Sequence, residues 1–302
     1  MSTTDHPKAS VYFASTELNP NEVNDDTGPG SIETFIRPRT GWIAINWDEL
    51  FHSRELFLTL VGRDLTIRYK QTVLGIAWAI LQPLATMIVF SIVFGMNLGI
   101  NTGSVPYPLF VLAGQIPWMF FSMAVASGSI SLLQNQNLLT KIYFPRIYVP
   151  AATVGSALVD MGIGLCLVFV LMPFFGQVPG WGILALPLMI LLAFAATLGF
   201  CLALSAATVL YRDLRFVIPF ALQLGMFISP LFYKMENRLS RPLQFVAALN
   251  PMYGIINGFR SSLLGEPWDF ATLGVSAFTA GAILLFGLFF FRKTERLMSD
   301  IV

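Results

Sequence analysis

A cluster of charged residues lies directly before a long apolar stretch. Arg63, Asp64, Arg68 and Lys70 fall within eight positions, and the next charged residue along the chain is Lys141. Charge in this position is typical of a segment that lies beside a membrane and leads straight into a membrane-spanning helix. Its simplest role is to fix the direction in which the chain inserts.

Asp160 lies inside another apolar stretch, where a charge costs about 2.5–3.5 kcal/mol on insertion scales unless it is paired or hydrated. Such a residue is a functional candidate: it could line a polar path, carry a proton or bond a neighbouring helix. No other apolar stretch contains Lys or Arg. We therefore expect Asp160 to be hydrated or protonated, near a path.

Few other residues could do covalent or metal chemistry. His6 and His52 lie outside the apolar stretches, and Cys166 and Cys201 lie inside them, so the sequence predicts no disulfide framework, metal site or catalytic dyad. It has no G-x-x-x-x-G-K-[ST] phosphate loop. We expect a chain that is not an enzyme, has no cofactor of its own and takes any nucleotide energy from another chain.

Composition indicates where these residues must be positioned. Hydrophobic residues make up 55% of the 302 residues and charged residues 12%, and the mean hydropathy is +0.69. Soluble domains carry about 25% charged residues, whereas a membrane helix needs about 20 consecutive apolar residues. The sequence therefore predicts an all-α integral membrane protein. Six windows qualify as spans: Val73–Leu98, Pro108–Leu132, Tyr148–Phe175, Ile183–Leu210, Val217–Tyr233 and Ala271–Phe291.

Lys and Arg collect on one side of these spans. They lie before the first span, between the second and third, between the fourth and fifth, and after the sixth; the first two opposite loops, 99–107 and 176–182, have none. Since positive residues stay inside, both termini are predicted to be cytoplasmic, with a tail at 292–302.

The segments before the first span differ from each other. Residues 1–46 are polar, which predicts a disordered cytoplasmic extension, and they lack the features of a cleavable signal. In Trp47–Gln71, apolar residues lie among charged ones. This pattern predicts a helix along the membrane surface, although a solvated lead-in without a role would also fit.

Four motifs in order resemble the permeases of ABC type-2 exporters of polysaccharides such as O-antigen, capsule or teichoic acid. They are GRDLTIRYKQTVLGIAWAILQPL at 62–84, NQNLLTKIYFPRIYVPAA at 135–152, YRDLRF at 211–216, and ISPLFY at 228–233 followed by LNPMYGIINGFRSSLLG at 249–265. The resemblance covers about residues 47–302. It implies two copies of this chain and two separate ATPase subunits that bind ATP and Mg, with an undecaprenyl-linked polysaccharide as substrate and no nucleic-acid partner.

The resemblance gives the charged segment a purpose, because the family's interface helix and cytoplasmic loop contact the ATPase. An exposed aromatic segment also suits insertion into a partner's groove. The predicted coupling residues are Arg63, Asp64, Arg68, Tyr69, Lys70, Asn137, Lys141, Tyr143, Phe144, Pro145 and Arg146.

Polar and aromatic residues recur at helical spacing in the first two spans. Rings stack on sugars and amides hydrogen-bond to them, but the same residues also join membrane helices. With Asp160 in the third span, the predicted channel residues are Trp78, Gln82, Thr86, Phe90, Gln115, Trp118, Phe121 and Ser122; Phe121 lies off the polar stripe of its span.

The last predicted external segment, 234–270, is too long for a simple turn. Its apolar residues predict two short helices that dip back into the outer half of the bilayer, as the family's pattern also implies. Arg238, Arg241 and Arg260 in this segment could meet anionic lipid or pyrophosphate, and interfacial anchoring is the reading we favour.

The sequence thus predicts a homodimeric permease in the bacterial inner membrane, driven by a separate ATPase, with O-antigen as the favoured polymer. An ABC exporter of drugs or lipids is one alternative. An ion-coupled secondary transporter is another, in which Asp160 would be the proton site; inverted repeats or broken helices would be expected there.

Overall fold

The computed structural model describes residues 54–70, 75–97, 103, 105–139, 144–234 and 240–301. All of them fall within one compact unit, Ile45–Val302, and the regular elements in these ranges are all helical. The predicted extension at 1–46 lies outside the described residues. The helices of eight residues or more are α1 (Arg54–Tyr69), α2 (Ala77–Phe90), α3 (Tyr107–Gln134), α4 (Tyr148–Phe174), α5 (Leu186–Leu210), α6 (Leu214–Ile228), α7 (Arg241–Ala248), α8 (Pro251–Leu264) and α9 (Phe270–Ile301).

Five segments of the described residues are long and apolar enough to cross a membrane: Ala77–Gly95, Tyr107–Gln134, Tyr148–Phe174, Trp181–Leu210 and Phe270–Glu295. They match five of the six predicted spans and confirm an all-α membrane protein. The remaining window contains α6, which has only 15 residues. At 1.5 Å per residue α6 is about 22 Å long, less than the roughly 30 Å of hydrocarbon, because the chain turns extended at Ser229 before Pro230.

The main hydrophobic core surrounds α3, which packs against α4, α5 and α8. Helix α3 lies at the centre of the bundle, and the side chains of Leu109, Phe110 and Leu112 are fully buried. Helices α5 and α9 approach more closely still. A Cβ on Gly199 would lie 2.7 Å from the backbone of Leu284, so this crossing depends on residues without a side chain, as is common between membrane helices.

A second, smaller cluster of buried residues joins α1 to four other parts of the chain. We call it the α1 cluster, and it contains Leu60, Leu132, Phe144, Ile147, Tyr148, Val149, Ala152, Leu202, Ala206, Val209 and Phe291. Apart from Leu60 of α1, these residues come from the end of α3, the loop before α4 with the first turns of α4, the end of α5 and the second half of α9. They are span ends that the charge pattern predicts on the cytoplasmic side, and they meet in one place.

Two short helices, α7 and α8, connect α6 to α9, as the sequence predicts. Asn250 begins α8 by accepting a hydrogen bond from the Met252 N–H at 3.1 Å, and Gly265 ends it with a left-handed φ of 70°. Helix α8 packs against α3, α5 and α9, and the side chains from Pro251 to Ile256 are all buried. Its predicted re-entry into the bilayer stays a prediction.

Candidate functional site

Helix α1 packs lengthwise along the first half of α4. The ring of Phe57 lies 5.8 Å from that of Tyr148, and Val61 borders Gly155, where an added Cβ would lie 2.9 Å from it. At the other end of α1, Arg68 and Tyr69 reach Asp160. The partners advance together along both helices, so α1 and α4 run in the same direction.

Asp160 receives two side chains from the end of α1. Arg68 forms an ion pair with its carboxylate, and the Tyr69 hydroxyl donates a hydrogen bond to the other oxygen. Arg68 Nη1 also lies 3.1 Å from the sulfur of Met123 on α3. The expectation that Asp160 lacks a basic partner is therefore wrong, because the partner comes from the preceding interface helix and not from another span.

The environment of Tyr69 keeps it a donor. Burial, reinforced by the hydrogen bond to Asp160 and by the charge of that carboxylate, raises the pKa of Tyr69 to about 12. The phenol therefore holds its proton at neutral pH. The Arg68 and Asp160 side chains are 24% and 13% exposed, which shelters the ion pair from the screening that weakens surface pairs.

The ion pair borders a pocket of about 180 Å³ between the first four helices. Arg68, Tyr69 and Asp160 form one part of its lining, and Trp78 and Gln82 of α2 form another. The apolar remainder comes mainly from α3 and α4: Ile116, Met119, Phe120, Met123, Met161 and Gly164. The pocket thus combines an exposed aromatic ring, an amide and a charged pair in an apolar frame.

The predicted channel residues of α3 lie elsewhere. Gln115, Trp118 and Phe121 are all buried, and none of them lines the pocket. Trp118 packs against Gly225 of α6, and the Phe121 ring meets Phe200 edge-on at 5.3 Å. The polar stripe on α3 faces neighbouring helices, and so it does not mark an open face in this conformation.

The other predicted channel residues make ring contacts or hydrogen bonds with neighbouring groups of the chain. Phe90 stacks on Phe232 with ring centroids 3.7 Å apart. Thr86 donates to the carbonyl of Gln82 in its own helix, and Ser122 donates to that of Met119 at 3.3 Å. Of the predicted channel residues, the pocket unites only Trp78, Gln82 and Asp160.

The predicted coupling loop is partly described. Phe144 is buried in the α1 cluster, whereas Asn137 is exposed and Pro145 and Arg146 are half-buried. Phe144 therefore fastens the loop to the bundle and is not an exposed aromatic. Lys141 and Tyr143 lie outside the described residues.

The predicted coupling residues of α1 likewise fall into two groups, those that contact α4 and those that do not. Arg63 pairs with the adjacent Asp64 at 3.0 Å and Lys70 is exposed, whereas Arg68 and Tyr69 point to α4.

Arg260 is not an interfacial anchor. Its side chain is fully buried, and its guanidinium lies 3.6 Å from the centroid of the Phe110 ring. Nε donates to the Phe110 carbonyl at 3.1 Å and Nη2 to the Leu231 carbonyl at 2.6 Å. The charge is satisfied by a carbonyl in the first turn of α3 and by another in the turn after α6, which a reading of the loop by itself could not predict. Arg238 and the side chain of Arg241 lie outside the described residues.

Residues 55–264 match the family described as ABC-2 type transporter, which is more than half of the chain. The chain belongs to the ABC-2 type transporter family. This confirms the resemblance on which the sequence interpretation relied.

The individual relatives of this permease are named as export or transport proteins. The O-antigen export system permease protein RfbA of Myxococcus xanthus is 32% identical over 216 residues, covering 70% of this chain and 82% of its own. A protein of the same name from Klebsiella pneumoniae is 21% identical and covers 82% and 95% of the two chains. The polysialic acid transport protein KpsM of Escherichia coli is 23% identical, with 78% and 92% covered.

Sequence reasoning missed the methionine-rich side of the permease pocket. Ile116, Met119 and Met123 follow one another at three- and four-residue spacing on α3, and Met161 and Gly164 do so on α4. That spacing places each set on one helix face. The same periodicity serves ordinary core packing, so the signal was present in the sequence without being distinctive.

Proposed function

We propose that this chain is the membrane-spanning subunit of an ATP-driven exporter that moves a lipid-linked polysaccharide, with O-antigen the favoured polymer, across the bacterial inner membrane. The observation that carries this proposal is that relatives matched over most of their length are named as polysaccharide export or transport permeases. The geometry supports it, since the charged interface helix ends on a pocket with sugar-binding chemistry.

The pocket suits a cargo of sugars carried on a lipid such as undecaprenyl phosphate. Trp78 is 53% exposed, so its ring face is available for stacking, and Gln82 is exposed beside it. Aromatic rings accept successive sugars without demanding one register, while an amide hydrogen-bonds to their hydroxyls. A long polymer has to slide, which favours such weak, repeated contacts over a deep site.

Helix α2 also supports a dimer of this chain. It is mostly apolar, yet Trp78, Ile88 and Val89 are each more than half exposed in the single chain. In a bilayer this surface meets either lipid or a second copy, and a polymer path formed between two copies would have an α2 on each side. Both termini are proposed to be cytoplasmic, following the distribution of Lys and Arg.

Two ATPase subunits, which would bind ATP and Mg, are proposed to dock on the α1 cluster side. There α1 and the loop before α4 share one packed cluster through Leu60, Phe144 and Ile147. A push on either element therefore reaches the bundle directly, because close-packed cores transmit displacement. We propose that Asn137, Lys141, Tyr143 and Arg146 contact the ATPase, while Phe144 holds the loop in place.

The ion-coupled alternative loses its main support. That support was an Asp160 without a basic partner in any span, whereas the structure pairs Asp160 with Arg68 and Tyr69 of α1. An ABC exporter of drugs or lipids differs from our proposal in cargo alone.

The proposed function is tested by purifying the permease with the ATPase encoded beside it and reconstituting the complex in vesicles. We expect lipid-linked glycans to stimulate ATP hydrolysis and to cross the bilayer, and drugs or ordinary phospholipids to do neither. A complex that moves drugs or phospholipids and ignores every lipid-linked glycan would overturn the proposal.

A further inference from the structure

We infer that Arg68, Tyr69 and Asp160 form a rigid joint that makes α1 and α4 move as one body. The inference rests on the proposed function, since it names the route by which a push on the interface helix reaches the polymer pocket. It unites residues that the sequence assigned to different tasks: Arg68 and Tyr69 to the ATPase contact and Asp160 to the channel.

Helix α1 is attached to α4 by apolar packing and, farther along both helices, by the joint. The first is apolar and lies near the start of both helices, where Phe57 contacts Tyr148 and Leu60 enters the α1 cluster. The second is the ion pair at Asp160. The partners are twelve residues apart on each helix, which corresponds to about 18 Å. A helix fixed at both ends of such a length cannot pivot about either one.

The chemistry of the second attachment is directional. Tyr69 and Arg68 occupy different oxygens of the carboxylate, so the carboxylate is held at two points. Apolar contacts alone would let α1 slide along α4. A sheltered ion pair with a second donor holds both the distance and the rotation, and removing one partner would leave the other charge unpaired.

The position of the joint beside the pocket gives it a consequence for transport. Arg68, Tyr69 and Asp160 all line the pocket, facing Trp78 and Gln82. When α1 and α4 move together, this wall shifts as a unit relative to α2 and α3. When the joint is broken, α1 can yield to the ATPase without moving the wall of the pocket.

The first test measures the polymer exported per ATP hydrolysed in reconstituted complexes of Arg68→Gln, Asp160→Asn and the double variant. We expect each single variant to lower this ratio about tenfold, within the range of ordinary couplings between sites. The double variant should export no less polymer per ATP than the more impaired single variant, because the two residues act through one interaction. The matched control is Arg292→Gln, whose partner Glu295 lies 2.9 Å away on the same helix, and it should leave the ratio unchanged.

Additive losses in the double variant, or wild-type ratios in both single variants, would overturn the joint. Each variant is compared at equal amounts of assembled permease and ATPase, so that a folding defect is not read as lost coupling.

The second test does not depend on export. Spin labels are placed at Leu58 of α1 and Val170 of α4, both of which are exposed, in chains with Cys166→Ser, and a labelled protomer is assembled with an unlabelled one. Double electron–electron resonance then gives the distance between α1 and α4 with and without ATP. We expect one narrow distance in both states, and a broad distribution that changes with ATP once Asp160→Asn is added.

A wild-type distance that changes with nucleotide would overturn the joint even in a complex that exports normally. Conversely, a complex that exports no glycan but keeps the narrow distance would count against the proposed function alone.

Discussion

Two arginines tie helices together in this permease, and they do so by different chemistry. Arg68 joins α1 to α4 through a carboxylate, in a sheltered but not fully buried site beside the pocket. Arg260 joins α8 to the first turn of α3 and to the turn after α6 through two backbone carbonyls and the Phe110 ring, and it is fully buried. We call the second arrangement the Arg260 clamp.

The difference indicates what each region can do. The joint at Asp160 lies beside open space, where a movement of α1 and α4 as one body can change the shape of the pocket. The Arg260 clamp binds fixed backbone groups, and Gly114 has to lack a side chain there, since an added Cβ would lie 2.9 Å from the guanidinium carbon. We therefore expect the clamp to serve assembly and the joint at Asp160 to serve coupling.

The largest effect is expected at the clamp. Arg260→Met removes the donors to the carbonyls of Phe110 and Leu231, and a buried group left unpaired costs about 1–3 kcal/mol. With the loss of the ring contact as well, we expect too little folded permease for assembly, measured as yield and thermal unfolding in detergent. Arg68→Gln should lower the unfolding temperature less, because its ion pair is sheltered but not fully buried and Tyr69 still donates to Asp160. A normal unfolding temperature for Arg260→Met would contradict the assignment of the clamp to assembly.

Trp78 and Trp118, which the sequence predicts as channel residues, should differ in the effect of their substitution. Trp118 is buried against Gly225, so Trp118→Ala is expected to cost about 3 kcal/mol of stability as a cavity forms. Trp78 is exposed at the pocket, so Trp78→Ala should leave the unfolding temperature unchanged and lower the surface glycan per assembled transporter. Equal stability losses in both variants would show that the distinction is wrong.

A smaller effect is expected where α5 crosses α9. A Cβ on Gly287 would lie 3.0 Å from the carbonyl carbon of Gly199, so Gly287→Ala has to push the two helices apart, at about 1–3 kcal/mol for overpacking. Gly281 on the same helix has nothing within 4 Å of an added Cβ, which makes Gly281→Ala the matched control. The unfolding temperature should fall in the first variant and hold in the second; a reversed order would refute the close crossing.

The smallest effects compare two tyrosine hydroxyls. Tyr107 donates to the Phe232 carbonyl at 2.9 Å, near the clamp, and Tyr69 donates to Asp160 at the joint. Tyr107→Phe should lower stability by about 1 kcal/mol, the net value of one hydrogen bond, with transport per assembled complex unchanged. Tyr69→Phe should instead lower export per ATP slightly, since Arg68 still holds Asp160. If both variants changed the same quantity, the two regions would not differ as proposed.

The membrane architecture could be predicted from the sequence because apolar length is a local property. Five spans, helix α1 and the pair α7 and α8 follow from runs of apolar residues along the chain. Helix α6 is shorter than its window because Ser229 is extended before Pro230, and hydropathy alone does not register that end.

The partners of charged residues could not be predicted in the same way. Arg68 and Asp160 are 92 positions apart, and Arg260 and Phe110 are 150 apart. Nothing in either local pattern indicates such a pairing, so Asp160 read as unpaired and Arg260 as a surface anchor. Likewise the polar stripe of α3 looks the same whether it faces water or neighbouring helices.

The most direct test of the account is to ask which tryptophan the polymer contacts. A photoreactive amino acid is placed at position 78 or at position 118 of the permease, and the complex with its ATPase is illuminated while it exports a lipid-linked glycan. We predict cross-links to glycan from position 78, which lines the pocket at the end of α1, and none from position 118. Cross-links from position 118 without any from position 78 would contradict the claim that this pocket lies on the path of the polymer.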